Sequence, residues 1–142
     1  MSRNAPGEVT LFLIEDDDID VMCIKREFKS RKIANPVIRA KDGAEAFEFL
    51  EAGEIVKPFI ILLDLQMPRM NGLEFLAKLR STEKFKDSVV FVLTTSQDEK
   101  DICESYNLNV AGYFVKDDVG EGFIGIVDIL DGYWKVVHLP TR

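Results

Sequence analysis

Five short runs constrain what this chain can fold into: Val9–Ile14, Pro36–Ala40, Phe59–Leu63, Val89–Leu93 and Gly112–Val115. Three are almost continuously apolar, the pattern of strands buried on both faces of a parallel sheet. The second, Pro-Val-Ile-Arg-Ala, is more polar and begins at a proline, which suits an edge strand. Their ends at Ile14, Ala40, Leu63, Leu93 and Val115 lie 26, 23, 30 and 22 residues apart. Each gap is long enough for a helical crossover between parallel strands. Amphipathic stretches fill the gaps: Val21, Ile24 and Phe28; then Ala46, Phe47 and Leu50; then Leu73, Leu76 and Leu79. A last stripe runs through Val119, Phe123, Ile126, Val127, Leu130, Trp134 and Val137 at helical spacing. All of these faces serve core packing. Five strands alternating with five helices predict a doubly wound α/β fold with a flavodoxin-like strand order, 2-1-3-4-5. No motif recurs, so the chain is not a solenoid.

The 142 residues are expected to form one domain, residues 1–142, with its core at about 8–135. Residues 1–7 read as a polar lead-in and Leu139–Arg142 as a short tail. The longest apolar runs fall far short of a membrane-spanning helix, and Met1–Thr10 lacks the apolar centre of a signal peptide. A net charge of −7 disfavours nucleic acid and anionic membranes as partners. Cys23 and Cys103 form no C-x-x-C pair, so a disulfide framework or structural zinc site is not expected. Buried free thiols and a cytoplasmic setting fit better. His138, the single histidine, is expected at the surface or in the tail.

In an open parallel sheet, ligands bind beyond the C-terminal strand ends, where the strand order reverses. The order 2-1-3-4-5 puts that point between strands one and three. Strand one runs into Glu15-Asp16-Asp17-Asp18-Ile19-Asp20, and strand three ends at Asp64. Strand four ends at Thr94-Thr95-Ser96 and strand five at Lys116. Carboxylates packed together repel unless a cation neutralises them. Hard oxygen ligands at a solvent-facing cleft suit Mg²⁺ with a substrate phosphate. A central carboxylate can act as a nucleophile and form an aspartyl phosphate. A lysine beside it would offset charge on the phosphoryl oxygens, and the threonine could donate to one of them. Singly these residues have ordinary roles. Asp18 and Asp20 suit a solvated helix start, and only the combined spacing is specific.

Ile14-Glu15-Asp16, the string Leu62-Leu63-Asp64-Leu65-Gln66-Met67-Pro68-Arg69-Met70-Asn71-Gly72, Leu93-Thr94-Thr95 and Tyr113-Phe114-Val115-Lys116 resemble the receiver domain of two-component response regulators. The resemblance covers about residues 8–130. It implies that Asp64 is the phosphoacceptor and that Glu15 and Asp16 hold Mg²⁺ with it, together with the backbone carbonyl of Gln66. Thr94 matches the switch hydroxyl, Lys116 the phosphate-contacting lysine and Tyr113 the aromatic switch. A histidine kinase would supply the phosphoryl group. The added charge would draw in Thr94 and Lys116 and shift a surface made by helix four, strand five and helix five. Residues 64–76, Val92–Ser96 and the ending Tyr133-Trp134 through Leu139-Pro140 look like single-domain regulators that partner phytochrome-type kinases. Output would then pass through protein contacts to a downstream target.

The chain departs from the family at several places. Asp117 stands where most receivers have proline, so the usual cis Lys–Pro bond cannot form. A cis Lys–Asp bond would cost about 3 kcal/mol. Thr95 fills a place often held by alanine, narrowing access to the phosphoryl group. Gly120, Gly122, Gly125 and Gly132 weaken the last helix, each by up to about 1 kcal/mol against alanine. That helix is expected to start late or to lean on a partner. Its long stripe predicts a homodimer through the C-terminal helix, with Trp134 in the core or at that contact.

Other readings fit less well. Asp16-x-Asp18 resembles the entry motif of haloacid-dehalogenase-type phosphatases, but Asp20 stands where threonine or valine belongs and no cap insertion is present. Asp16, Asp18, Asp20 and Glu27 have the spacing of a calcium loop, yet Val21 occupies the glycine position and a strand precedes the segment. A flavin phosphate would be repelled by the acidic first loop. A pseudo-receiver that only binds partners is the remaining alternative, although every motif side chain is present.

Overall fold

The computed structural model describes residues 8–141. The expected lead-in 1–7 and the terminal Arg142 lie outside the described residues. The elements run β1 (Thr10–Ile14), α1 (Asp18–Ser30), β2 (Val37–Ala40), α2 (Gly43–Glu51), β3 (Phe59–Leu63), α3 (Gly72–Ser81), β4 (Val89–Thr94), α4 (Glu99–Asn107), β5 (Gly112–Val115) and α5 (Ile124–Val136). All strand pairs are parallel, in the order β2-β1-β3-β4-β5. The expected fold class and order hold. β2 is an edge strand, and Pro36 lies just before it, its carbonyl accepting from the Leu11 amide at 2.8 Å.

Alternate strand residues point to opposite faces, and both faces are covered. Phe12, Ile14, Ile61, Leu63, Val90 and Val92 pack with Ala46, Phe47 and Leu50 of α2 and Phe75, Leu76 and Leu79 of α3. Leu11, Leu13, Ile60, Leu62, Phe91 and Leu93 pack with Val21, Ile24 and Phe28 of α1 and with Ile126, Val127, Leu130 and Trp134 of α5. Burial on both faces is why the strands read as unbroken apolar runs. Arg80, at the end of α3, donates to the carbonyls of Leu108, Lys86, Ser88 and Asn109 at 2.7–3.0 Å. It thereby ties the entries to β4 and β5 together. No helix among the described residues is long and apolar enough to cross a membrane.

Four helices begin at polar caps: Asp17, Asp42, Asn71 and Asp98 accept from backbone amides of α1, α2, α3 and α4. These side chains satisfy amides that a helix leaves unpaired at its start. α5 has no such cap. Gly120 (φ 83°) and Gly122 (φ 64°) carry the chain through left-handed turns, and the helix starts late, at Ile124. Val119 and Phe123 therefore belong to the turns before α5, though both are buried.

The long stripe from which a dimer contact is expected is covered within the chain as far as Trp134. Val119, Phe123, Ile126, Val127, Leu130 and Trp134 are all buried within the chain. Trp134 meets Phe28 edge-on at 5.9 Å, and Tyr133 meets Phe91 edge-on at 5.1 Å. Leu139 packs against the same cluster, so the tail folds back in part. What α5 leaves exposed is Ile124, Ile129, Val136 and Val137. Cys103 is exposed on α4 and Cys23 half-buried on α1, both free. The expected burial of Cys103 fails because α4 buries only Ser105. His138 is exposed, as expected.

Candidate functional site

Strand register builds the site. Ile14 pairs with both Ala40 and Leu63, so the chain leaves β1 and β3 side by side. The Asp64 amide donates to Ile14 O and the Glu15 amide to Ala40 O, each at 3.0 Å. Glu15 and Asp64 are thus set on adjacent backbones, both buried, with exposed Asp16 beside them. One oxygen from each of Glu15, Asp16 and Asp64 lies within 4.8 Å of the others. Gly72 explains the glycine of the motif: a Cβ there would lie 2.5 Å from Asp64 O, so only glycine lets α3 start this close.

Lys116 closes the cluster. Its Nζ lies 2.8 Å from Glu15 Oε1, 2.7 Å from Asp20 Oδ2 and 3.5 Å from Asp64 Oδ2. Burial works against the ammonium, but hydrogen bonds to Asp20 and Glu15 outweigh it and hold Lys116 charged. One ammonium among these carboxylates leaves negative charge in surplus. Burial first, and then the neighbouring Asp64, push Glu15 up to about 8, against the hydrogen bond from Lys116. Such a donor set, all carboxylate oxygen and over-charged without a cation, fits a hard divalent ion.

The remaining expected residues lie on β4, on β5 and in the loop after Asp64. Thr94 ends β4, is buried, and its Oγ1 accepts from the Ser96 amide at 3.5 Å. Tyr113 on β5 is half-buried, and its hydroxyl donates to Ser96 O at 2.9 Å. Both switch candidates therefore meet at Ser96, whose own hydroxyl donates to Asp101 Oδ2 of α4 at 2.6 Å. The Gln66 amide donates to Asp64 Oδ1 at 3.2 Å, and its side-chain Oε1 accepts from Thr95 Oγ1 at 2.6 Å. Thr95 thus bridges the end of β4 to the loop after Asp64.

Among the described residues the one cis peptide is Lys57–Pro58, so Lys116–Asp117 is trans. A 3₁₀ turn over Lys116–Asp118 carries the lysine instead. Lys116 still reaches the carboxylates without the cis bond that proline gives the family.

Sequence reasoning missed three contributors. Asp20 is bonded to Lys116, whereas Asp18 is the solvated helix-start residue expected of both. Asp16 precedes the extended Asp17 cap, so no helical spacing in the sequence marks Asp20 as the partner of Lys116. Arg39 Nε donates to Glu15 O at 2.8 Å. Its Nη2 lies 2.8 Å from Asp18 Oδ1 as an ion pair without hydrogen-bond geometry. Arg69 donates to both oxygens of Asp42, at 2.9 and 3.2 Å, and so joins the loop after Asp64 to the α2 cap.

The chain as a whole is similar to known proteins. The family model of the response regulator receiver domain matches residues 11–122. Response regulator Rcp1 of Synechocystis sp. is 32% identical over 146 residues, spanning 99% of this chain and 99% of that protein. The crystal structure of Mn²⁺-bound Rcp1 matches with a TM-score of 0.81 at 32% identity, covering 92% of this chain and 98% of the other. The phosphorylated cyanobacterial phytochrome response regulator RcpA matches with a TM-score of 0.84 at 32% identity, covering 94% and 99%. The chain belongs to the response regulator receiver domain family.

Proposed function

We propose that Asp64 accepts a phosphoryl group from a histidine kinase and that this charge switches a protein-interaction surface. One observation carries the reading: Asp64 is a buried carboxylate with Glu15 and Asp16 oxygens within 4.8 Å and an ammonium at 3.5 Å. An Asp64 oxygen attacks phosphorus and the O–P bond forms. The bond from phosphorus to the donor imidazole nitrogen breaks, and that nitrogen leaves with the electron pair. Lys116 offsets charge on the phosphoryl oxygens, and the Thr94 hydroxyl donates to one of them. Mg²⁺, held by Glu15, Asp16, Asp64 and the Gln66 carbonyl, would supply Lewis-acid neutralisation of the transferring group. Release of Thr94 and Tyr113 from Ser96 would shift the population of the α4–β5–α5 face.

The chain is an acceptor in this reading, not a turnover enzyme, and it would act in the cytoplasm. Likeness to a phytochrome response regulator across nearly its whole length supports a phytochrome-type kinase as donor. A homodimer through α5 draws on Ile129 and Val136, which that helix leaves exposed. The pseudo-receiver reading is disfavoured because no acceptor, lysine or acidic side chain is missing.

The test is acetyl phosphate with Mg²⁺, read by intact mass. The protein should gain one phosphoryl group and Asp64→Asn none, since asparagine is near-isosteric but lacks an anionic nucleophile. Full labelling of Asp64→Asn at another residue would overturn the assignment.

A further inference from the structure

An ammonium has three N–H donors and no more. Those of Lys116 face three carboxylates, and the two shortest contacts, 2.7 Å to Asp20 and 2.8 Å to Glu15, do not go to the acceptor. Asp64 takes the longest, at 3.5 Å. Asp20 does not belong to the group of three acids whose oxygens converge, Glu15, Asp16 and Asp64. Its partner is the lysine. Asp20 is fixed at the start of α1, where its amide donates to the Asp17 cap at 3.3 Å. Lys116 is fixed in the 3₁₀ turn after β5, with 11% of its side chain exposed. The bond between them thus joins two anchored backbones across the site.

A phosphoryl group on Asp64 brings new anionic oxygens to the acceptor, and Lys116 must turn a donor to them. Its short bond to Asp20 competes with that turn. The Asp20 carboxylate also opposes the approach of an anionic donor. We propose that Asp20 is a positioning residue that holds the Lys116 ammonium back from Asp64 and so restrains phosphorylation, an inference that rests on Asp64 being the acceptor.

The experiment measures the rate of labelling by acetyl phosphate at saturating Mg²⁺, by intact mass, for five proteins: wild type, Asp20→Asn, Asp20→Ala, Asp20→Glu and Asp18→Asn. Asp20→Asn should label about three- to tenfold faster, the net worth of one ordinary hydrogen bond, since asparagine still offers Lys116 a neutral acceptor. Asp20→Ala gives a second removal should the asparagine variant fold poorly. Asp20→Glu restores a carboxylate for the lysine and should return toward the wild-type rate. Asp18→Asn removes the same charge from the same turn without touching Lys116; it gives up only the largely exposed pair with Arg39, whose bond to Glu15 O is made by a different nitrogen, and should stay within about twofold of wild type. Equal acceleration by Asp18→Asn and Asp20→Asn would show a bulk charge effect and overturn the proposal. So would an unchanged or slower rate in both Asp20→Asn and Asp20→Ala while wild type labels normally. Failure of wild type to label at all would instead overturn the acceptor reading, and this inference with it.

Discussion

Asp16 is the exposed member of the three converging carboxylates, whereas Glu15 and Asp64 are buried. It can therefore be removed with little effect on the core, which makes it the clean probe of metal binding. Asp16→Ala should weaken Mg²⁺ binding and slow phosphotransfer together, by about tenfold or more each, because Mg²⁺ relies on few protein carboxylates. Calorimetric titration reads the affinity. Trp134 fluorescence would report poorly, since that ring lies against Phe28 in the α1–α5 cluster. Unchanged affinity would move the ligand to Asp17 or elsewhere. Asp64, its acidic neighbours and Lys116 were legible in sequence because strand ends deliver them to one crevice. Arg39 and Arg69 were not, because their partners are a backbone carbonyl and a helix cap that no motif marks.

At the scale of elements, charge and capping act together at α2. Asp42 caps that helix and accepts from Arg69, whose hydrogen bonds hold its carboxyl below the ordinary value of 3.8 against the cost of burial. A carboxyl depressed in the folded state stabilises the fold above the unfolded pKa and loses that contribution as pH falls through the folded value. Asp42→Asn keeps a capping oxygen but no charge. It should be less stable by about 0.5–1 kcal/mol near neutrality, a modest figure because Arg69 stands largely in solvent. Urea midpoints of the two proteins should begin to converge as pH falls below about 4, the unfolded value, and meet only below the depressed folded one. Arg80→Ala should cost more, about 2–4 kcal/mol in urea unfolding, because four carbonyls lose a charged donor. Arg80→Lys should recover little, since an ammonium cannot reproduce the planar fork. Strands were legible to within a residue or two because burial on both faces leaves unbroken apolar runs. The bounds of α4 were hidden: it buries only Ser105 and shows no apolar stripe. The late start of α5 was foreshadowed by its glycines, two of which take left-handed turns.

The whole molecule carries the crevice of Glu15, Asp16, Asp64 and Lys116 at one end of the sheet, and beside it the face built from α4, β5 and α5. Ser96 is the physical link, since Thr94, Tyr113 and Asp101 of α4 all bond to it. An α5 homodimer would place self-association beside that face. The covered stripe takes away the original argument for such a contact, and what remains is narrower. Ile129 and Val136 lie seven residues apart, on one side of α5, and both are exposed. With Lys135 tied back to Asp131 in an i,i+4 pair, the last turns present these apolar groups beside a locally neutralised charge. A two-fold axis would set each patch against its copy, the commonest way for a single chain to cover such a surface. Sedimentation velocity at tens of micromolar, with and without beryllofluoride as a phosphoryl mimic, should show a dimer, and Ile129→Asp should return it to monomer. A monomer under both conditions would refute the contact and leave Ile129 and Val136 as isolated exposed residues of the kind any soluble surface carries.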